Sequence, residues 1–138
     1  IGEVRGAWVV DDYAHHPTEV KATLATAKLL GRRVRVLFQP HRLLRTQELW
    51  EGFAEALSSA HEVVVLPVYT AGEKAGITPE ALSRRIAERL LALGKSARFL
   101  DKEEALAYAR ATAAPGDLWL TLGAGDVTEL AWRLVHEG

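Results

Sequence analysis

The chain contains no cysteine, no methionine and no asparagine. Without thiols it has no disulfide framework and no thiolate metal site. That fits a reducing compartment, and a cytoplasmic location is expected. With no methionine and with Ile1 at its start, the sequence reads as a fragment or a processed chain. The loss of heat-labile residues, with arginine outnumbering lysine, is the bias expected of a thermophile. An excess of one charge is missing too. The formal net charge is -1, with no basic run, so neither nucleic acid nor an anionic membrane surface is expected as a partner. No apolar run reaches the roughly 18 residues of a membrane span, and no signal peptide is recognisable. Three catalytic signatures are absent as well: the phosphate loop G-x-x-x-x-G-K-S/T, the nucleophile elbow G-x-S-x-G and the zinc motif H-E-x-x-H. Nothing in this chain would hold a triphosphate tail, so it reads as one wall of a site whose other wall lies elsewhere.

What remains is an ordinary soluble composition, 49% hydrophobic and 25% charged over 138 residues. It is enough for one core and a single domain. Apolar strands are predicted at 7–11, 34–38, 62–67, 97–100 and 118–122, after an amino-terminal hairpin that turns at Arg5 and Gly6. Between them, helical spacing predicts helices at 17–30, 43–59, 79–93, 101–112 and from the LGAGD turn to His136. Thr78, Asp101 and Asp126 stand where caps belong, and Glu19 where a capping carboxylate would reach back. Short apolar strands alternating with helices predict an α/β fold: a doubly wound, Rossmann-like sheet with helices on both faces. It should be mostly parallel, with one antiparallel edge strand from the hairpin. Trp8, Trp50, Trp119 and Trp132 read as core, His61 and His136 as surface or packing residues, and Arg84, Arg85 and Arg89 as a solvated helix face.

In such sheets ligands sit at the carboxyl ends of the strands, and three loops leave those ends with unusual chemistry. DDYAHHP places Asp11, Asp12, Tyr13, His15 and His16 where a strand meets a helix opened by Pro17. The bland reading is helix capping with a buried tyrosine. The functional one is an anion-friendly helix start where a neutral histidine meets a phosphate or ribose or takes a proton. The spacing fits no closed metal site. QPHRLLRT sets His41, Arg42 and Arg45 at the start of the next helix, the arginines one turn apart. Cations there oppose the helix dipole at about 0.3–1 kcal/mol each. Either a bound carboxylate or phosphate compensates, or an ion pair with Glu48 or a neighbouring acid does. LGAGD brackets Ala124 between Gly123 and Gly125. This is half of a dinucleotide loop, and either a tight turn or a close backbone approach to a ligand. The glycine-containing VYTAGEKAGIT, with Tyr69, Glu73 and Lys74, is read as a connector without assigned chemistry.

DDYAHHPTEVKAT followed by VLFQPHRLLRT resembles the carboxy-terminal domain of the Mur ligases, and the LGAGD turn and VYTAGE loop fit the same family. FQPHRLLRT is most similar to the members that add L-alanine to UDP-N-acetylmuramate, although Leu43 and Leu44 stand where relatives often carry an aromatic and a small polar residue. The resemblance implies amino-terminal and central domains outside this chain, the central one with the phosphate loop. It also implies ATP, with Mg²⁺ bound mainly by the central domain. The reaction implied is phosphorylation of the muramate carboxylate, then attack by the amine of L-alanine on the acyl phosphate. By motif, Asp12 and Tyr13 would meet the nucleotide's ribose and base. His15 would stand near the reacting phosphate and the amine. His41, Arg42 and Arg45 would hold the amino acid, and Gly123, Ala124 and Gly125 are possible loop contacts. The alternatives are a ligase that recycles murein peptides and a stand-alone nucleotide-binding or interaction module.

Overall fold

A computed structural model describes residues 2–137, so the expectation attached to Ile1 lies outside them. Strands β1 (Gly2–Val4) and β2 (Ala7–Asp12) form the hairpin, joined by Arg5 and Gly6. Helix α1 (Pro17–Lys28), β3 (Arg33–Phe38), α2 (Leu43–Leu57), β4 (Glu62–Val65) and α3 (Pro79–Ala92) follow. The chain then runs through β5 (Ala97–Phe99), α4 (Lys102–Thr112), β6 (Asp117–Leu122) and α5 (Val127–His136). The sheet order is β1-β2-β6-β3-β4-β5, and only β1 pairs antiparallel. The fold class is the one the sequence predicted, and the elements end within one or two residues of their expected limits.

Pleat alternation explains the two layers. Val34, Val36 and Phe38 of β3 point into a core with Val20 and Leu24 of α1, Phe53 and Leu57 of α2, and Ile86 and Leu90 of α3. Leu37 of the same strand points the other way, to Leu106 of α4 and Leu130 and Leu134 of α5. All six residues of β6, in the middle of the sheet, are buried, which is why residues 118–122 read as a nearly continuous apolar run. Three helices are capped by their own N-terminal residues: His16 and Asp101 each form a capping box, with Glu19 and Glu104 respectively, and the Thr78 hydroxyl accepts from Ala81 N. His16 is thus the N-cap itself, one position before the first helical turn.

The tryptophans correct a sequence expectation. Trp119 is fully buried, but Trp8 and Trp132 are 38% and 56% exposed, and only Trp50 of the other three packs against core. Trp8 sits near the free edge of the sheet, where Arg32 covers its ring at 3.6 Å. Trp132 lies on the outer side of α5 against the His136 ring. Nor are the α3 arginines merely solvated, since Arg84 lies over Phe99 and Arg85 over Trp50. Exposed His61 accepts from Val34 N at Nδ1.

At the amino ends of β3, β4 and β6 three charges are buried together. Arg35 donates to Glu62 at 2.7 Å and to Asp117 at 2.9 Å, and also to the carbonyl and hydroxyl of Thr112. The functional loops leave the opposite end of these strands.

Candidate active site

Four loops meet at the carboxyl ends of adjacent strands. The order β2-β6-β3-β4 brings together DDYAHHP, LGAGD, QPHR and VYTAGE. Two backbone hydrogen bonds tie the third loop to the fourth: Tyr69 N donates to Pro40 O, and Arg42 N to Tyr69 O. The result is a row of rings crossing three loops. Tyr13 meets His15 edge-on at 5.8 Å, His15 meets His41 at 6.0 Å, and His41 stacks on Tyr69 at 5.4 Å, the two planes within 5°. Tyr13 is 68% exposed, so the buried tyrosine of the bland reading is not what forms. Tyr69, placed by the sequence in a connector, is the ring on which His41 rests.

The two adjacent histidines do different work. His16 Nδ1 accepts from Thr18 N, so that nitrogen is occupied by the cap. His15 Nδ1 faces the Tyr13 carbonyl at 3.1 Å and Glu19 at 3.6 Å. Both neighbours only accept, so Nδ1 carries the proton in the neutral ring and the Nε2 lone pair has no partner among the described residues. His41 is held below the ordinary histidine value of 6.5, first by burial and then by the charges of His15, Arg45 and Arg42. Its ring is therefore neutral at pH 7, and its buried Nδ1 has no hydrogen-bond partner among the described residues.

Asp11 and Asp12 diverge as the pleat requires. Asp11 accepts from Thr121 and Thr128 on the α5 side, and Asp12 turns its carboxylate back to Ala14 N. Asp12 also ends an apolar groove of about 340 Å³ along β2 and α1, walled by Val10, Thr26 and Leu30. A larger cleft, of about 820 Å³, is lined by His15, Glu19, Arg42, Arg45 and Glu48.

The arginines part company. Arg42 is the N-cap of α2, with φ 74°, and pairs with Glu73 at 2.7 Å rather than with Glu48. Arg45 is half-buried and has no hydrogen bond or ion pair among the described residues. Of the two arginine charges, only that of Arg42 is therefore compensated among the described residues.

LGAGD is built against QPHR. A Cβ on Gly123, whose φ is +148°, would lie 2.7 Å from the Gln39 backbone oxygen, and one on Gly125 would meet the Gln39 and Tyr69 side chains. The sequence expectation that the Asp126 side chain caps α5 is corrected: it makes no cap hydrogen bond. It accepts instead from Gln39 and Lys102, both at 2.6 Å. Burial pushes its carboxyl up, but those two donors outweigh it and hold it below the ordinary 3.8. The cap is supplied from another loop, by Gln39 Oε1 accepting from Val127 N. Gly123→Ala is expected to destabilise the fold by about 1–3 kcal/mol, the usual cost of a strained backbone site. Urea unfolding of the 138-residue chain checks it.

A family model described as "Mur ligase, glutamate ligase domain" matches residues 1–125. The chain belongs to the Mur ligase family. It corresponds to the carboxy-terminal domain of these ligases. The UDP-N-acetylmuramate–L-alanine ligase of Carboxydothermus hydrogenoformans is 44% identical over 137 residues, covering 98% of this chain and 29% of that protein. The crystal structure of the UDP-N-acetylmuramate–alanine ligase of Thermotoga maritima matches with a TM-score of 0.73 and 33% identity, over 91% of this chain and 25% of that one. A murein peptide ligase of Psychrobacter arcticus shares the fold, with a TM-score of 0.74 at 22% identity over 97% of this chain and 28% of that one. The chain thus spans under a third of the length of the curated relatives it matches. Among the described residues, no helix is long and apolar enough to cross a membrane.

Proposed function

We propose that this chain is the carboxy-terminal domain of an ATP-dependent ligase that joins L-alanine to UDP-N-acetylmuramate through an acyl phosphate, in peptidoglycan synthesis. Residues 1–138 form one domain of it, and the amino-terminal and central domains complete the enzyme. The observation that carries the reading is one cleft holding His15 beside Arg42 and Arg45, with neutral His41 against His15. An amino acid offers a carboxylate to the guanidinium groups and an amine to an imidazole.

Arg45 and the free edge of Arg42 hold the carboxylate of the incoming amino acid. His15, its Nε2 lone pair without a partner among the described residues, stands beside the reacting phosphate and takes the proton that the ammonium must lose before it attacks. His41 forms the wall behind it, its ring fixed by Tyr69. Asp12 and Tyr13 meet the nucleotide, the exposed Tyr13 ring offering a stacking face and Asp12 an acceptor for ribose hydroxyls. Gly123, Ala124 and Gly125 bring backbone close to the same edge. The donor set does not fit a magnesium ion here, because no group of three or more His, Asp or Glu is gathered to hold one among the described residues. Mg²⁺ belongs with the phosphates and the central domain. Catalysis by this domain is then mostly positioning and charge stabilisation, with closure over ATP delivering the amine.

The test is phosphate release by the full-length ligase with ATP, Mg²⁺ and UDP-N-acetylmuramate, across an amino-acid panel and a murein tripeptide. Release dependent on L-alanine is the expected result, and the isolated domain should give none. Preference for the tripeptide would move the assignment to the recycling ligases. Tight nucleotide or partner binding by the isolated domain, with no turnover in any form, would favour the stand-alone module.

A further inference from the structure

The loop after β4, read from the sequence as a connector without assigned chemistry, touches an arginine that lines the cleft, Arg42. Its residues 70–73 form a tight turn closed by Glu73 N donating to Thr70 O. Both central residues are left-handed, Ala71 with φ 54° and Gly72 with φ 83°. Non-glycine residues avoid that region, and those that hold it tend to cluster where geometry is functional. Only three non-glycine residues with positive φ occur among the described residues: Arg5 in the hairpin, then Arg42 and Ala71. The last two flank a single contact, the ion pair of Arg42 with Glu73.

That contact has a defined shape. Arg42 gives both Nε, at 2.9 Å, and Nη2, at 2.7 Å, to the same Glu73 oxygen. The other Glu73 oxygen accepts from Leu44 N at 3.2 Å. Glu73 thereby supplies the cap that α2 lacks, since Arg42 makes no side-chain cap and the first turn has no acid. The Arg42 hydrogen bonds also hold the Glu73 carboxyl below its ordinary 4.5, so the partner is an anion throughout the neutral range. One edge of the guanidinium is used. No partner within the described residues takes Nη1, so the Nη1–Nη2 edge remains available beside Arg45.

We propose that Glu73 is a positioning residue for the amino-acid substrate: it fixes the Arg42 guanidinium by its Nε edge so that the Nη1–Nη2 edge is presented, pre-oriented, to the substrate carboxylate. The inference rests on the ligase reading above and extends it to a residue that the sequence left without a role. A guanidinium on a free side chain must be ordered when the substrate arrives. One already held by Glu73 has lost that freedom beforehand, which favours binding.

The experiment uses the full-length ligase and measures KM for the amino acid, KM for ATP and kcat, in Glu73→Ala, Glu73→Gln, Arg42→Ala and the Arg42→Ala/Glu73→Ala double variant. The expected result for Glu73→Ala is a rise of about tenfold in the amino-acid KM, with kcat and the ATP KM within about twofold, as fits loss of orientation at one substrate. Glu73→Gln keeps an acceptor oxygen and should recover part of the effect. In the Arg42→Ala background, Glu73→Ala should add almost nothing, because the two act as a unit. An amino-acid KM that stays put while the melting temperature drops would overturn the proposal and leave Glu73 as a helix cap. A KM that falls would also overturn it, by showing that Glu73 competes with the substrate. Full additivity with Arg42→Ala would do the same. If the wild-type ligase prefers an acceptor other than L-alanine, the functional reading is at fault, and the Glu73 variants are judged on the preferred acceptor. If no amino acid or peptide is accepted, both readings fall.

Discussion

Arg35→Met is expected to cost the fold about 3–5 kcal/mol, the range for breaking a buried ion pair by removing one partner. Arg35 is 3% exposed and is the common partner of two buried carboxylates, Glu62 and Asp117. Met fills much of the guanidinium's volume over Trp119, so little of the loss is a cavity. The loss comes from two acids left with reduced compensation. Glu62 keeps the Tyr108 hydroxyl and a long contact to Arg98, and Asp117 keeps the largely exposed Arg33. The pH dependence has a definite sign. Burial pushes the Asp117 carboxyl up, but hydrogen bonds from Arg35 and Arg33 outweigh it and hold it below its ordinary 3.8. Its contribution to wild-type stability is therefore complete above about pH 4 and is lost as pH falls through the folded value. In Arg35→Met that anion becomes a burden which protonation relieves. The gap between variant and wild type should be widest near neutrality and narrow toward pH 3. Urea unfolding of the 138-residue chain at several pH values checks this. A loss below about 1 kcal/mol would mean that the carboxylates find water or other donors. Adding Glu62→Gln and Asp117→Asn to the variant should restore most of the stability, because the burden is charge rather than shape.

This cluster lies at one end of the strands whose other ends carry the candidate site. Arg35 pairs in register with Trp119 on β6 and with Glu62 on β4. Locking those registers fixes where Gln39, Leu122 and Leu66 emerge, and hence how the loops meet. Gln39 N donates to Leu122 O and Leu66 N to Phe38 O, bonds that carry the pairing past the ends of the strands.

The sheet and its two helical layers were legible because apolar periodicity is local and strong. The caps divide along the same line. His16, Thr78 and Asp101 cap their own helices, so each cap and the N–H it accepts lie within four residues of each other. The caps of α2 and α5 come from Glu73 and Gln39, 29 and 88 positions away from the N–H groups they accept. No local pattern contains such a pairing. Asp126 was read as a cap for that reason, and Glu73 as part of a connector. The arginines did leave a trace: two cations opposing a helix dipole predicted an anion nearby, and for Arg42 the anion is Glu73. What spacing could not say was that Arg45 would be left without one.

Arg45→Ala, in the full-length ligase, is expected to raise the amino-acid KM by roughly ten- to a hundredfold, the equivalent of about 1.5–3 kcal/mol for a hydrogen bond to a charged group. Arg45 stands one turn after Arg42 at the start of α2, half-buried on the cleft that holds His15. A cation in a first helical turn is unfavourable by about 0.3–1 kcal/mol, and here no acid within the described residues offsets it. The fold therefore carries a cost that a substrate carboxylate would repay. This gives the variant two effects of opposite sign. The amino-acid KM should rise, while the melting temperature should hold or climb slightly, because the opposed charge is gone. A residue kept for packing would lose stability instead. Arg45→Lys keeps the charge but not the planar fork, so its KM should fall between wild type and Ala. The ATP KM should not follow, since no nucleotide contact is assigned to α2. An unchanged amino-acid KM in both Arg45→Ala and Arg42→Ala would remove the carboxylate clamp. The charge on Arg45 would then answer to some other anion at the same helix start, and the ATP and UDP-sugar KM values of the same variants would show whether that anion is a phosphate.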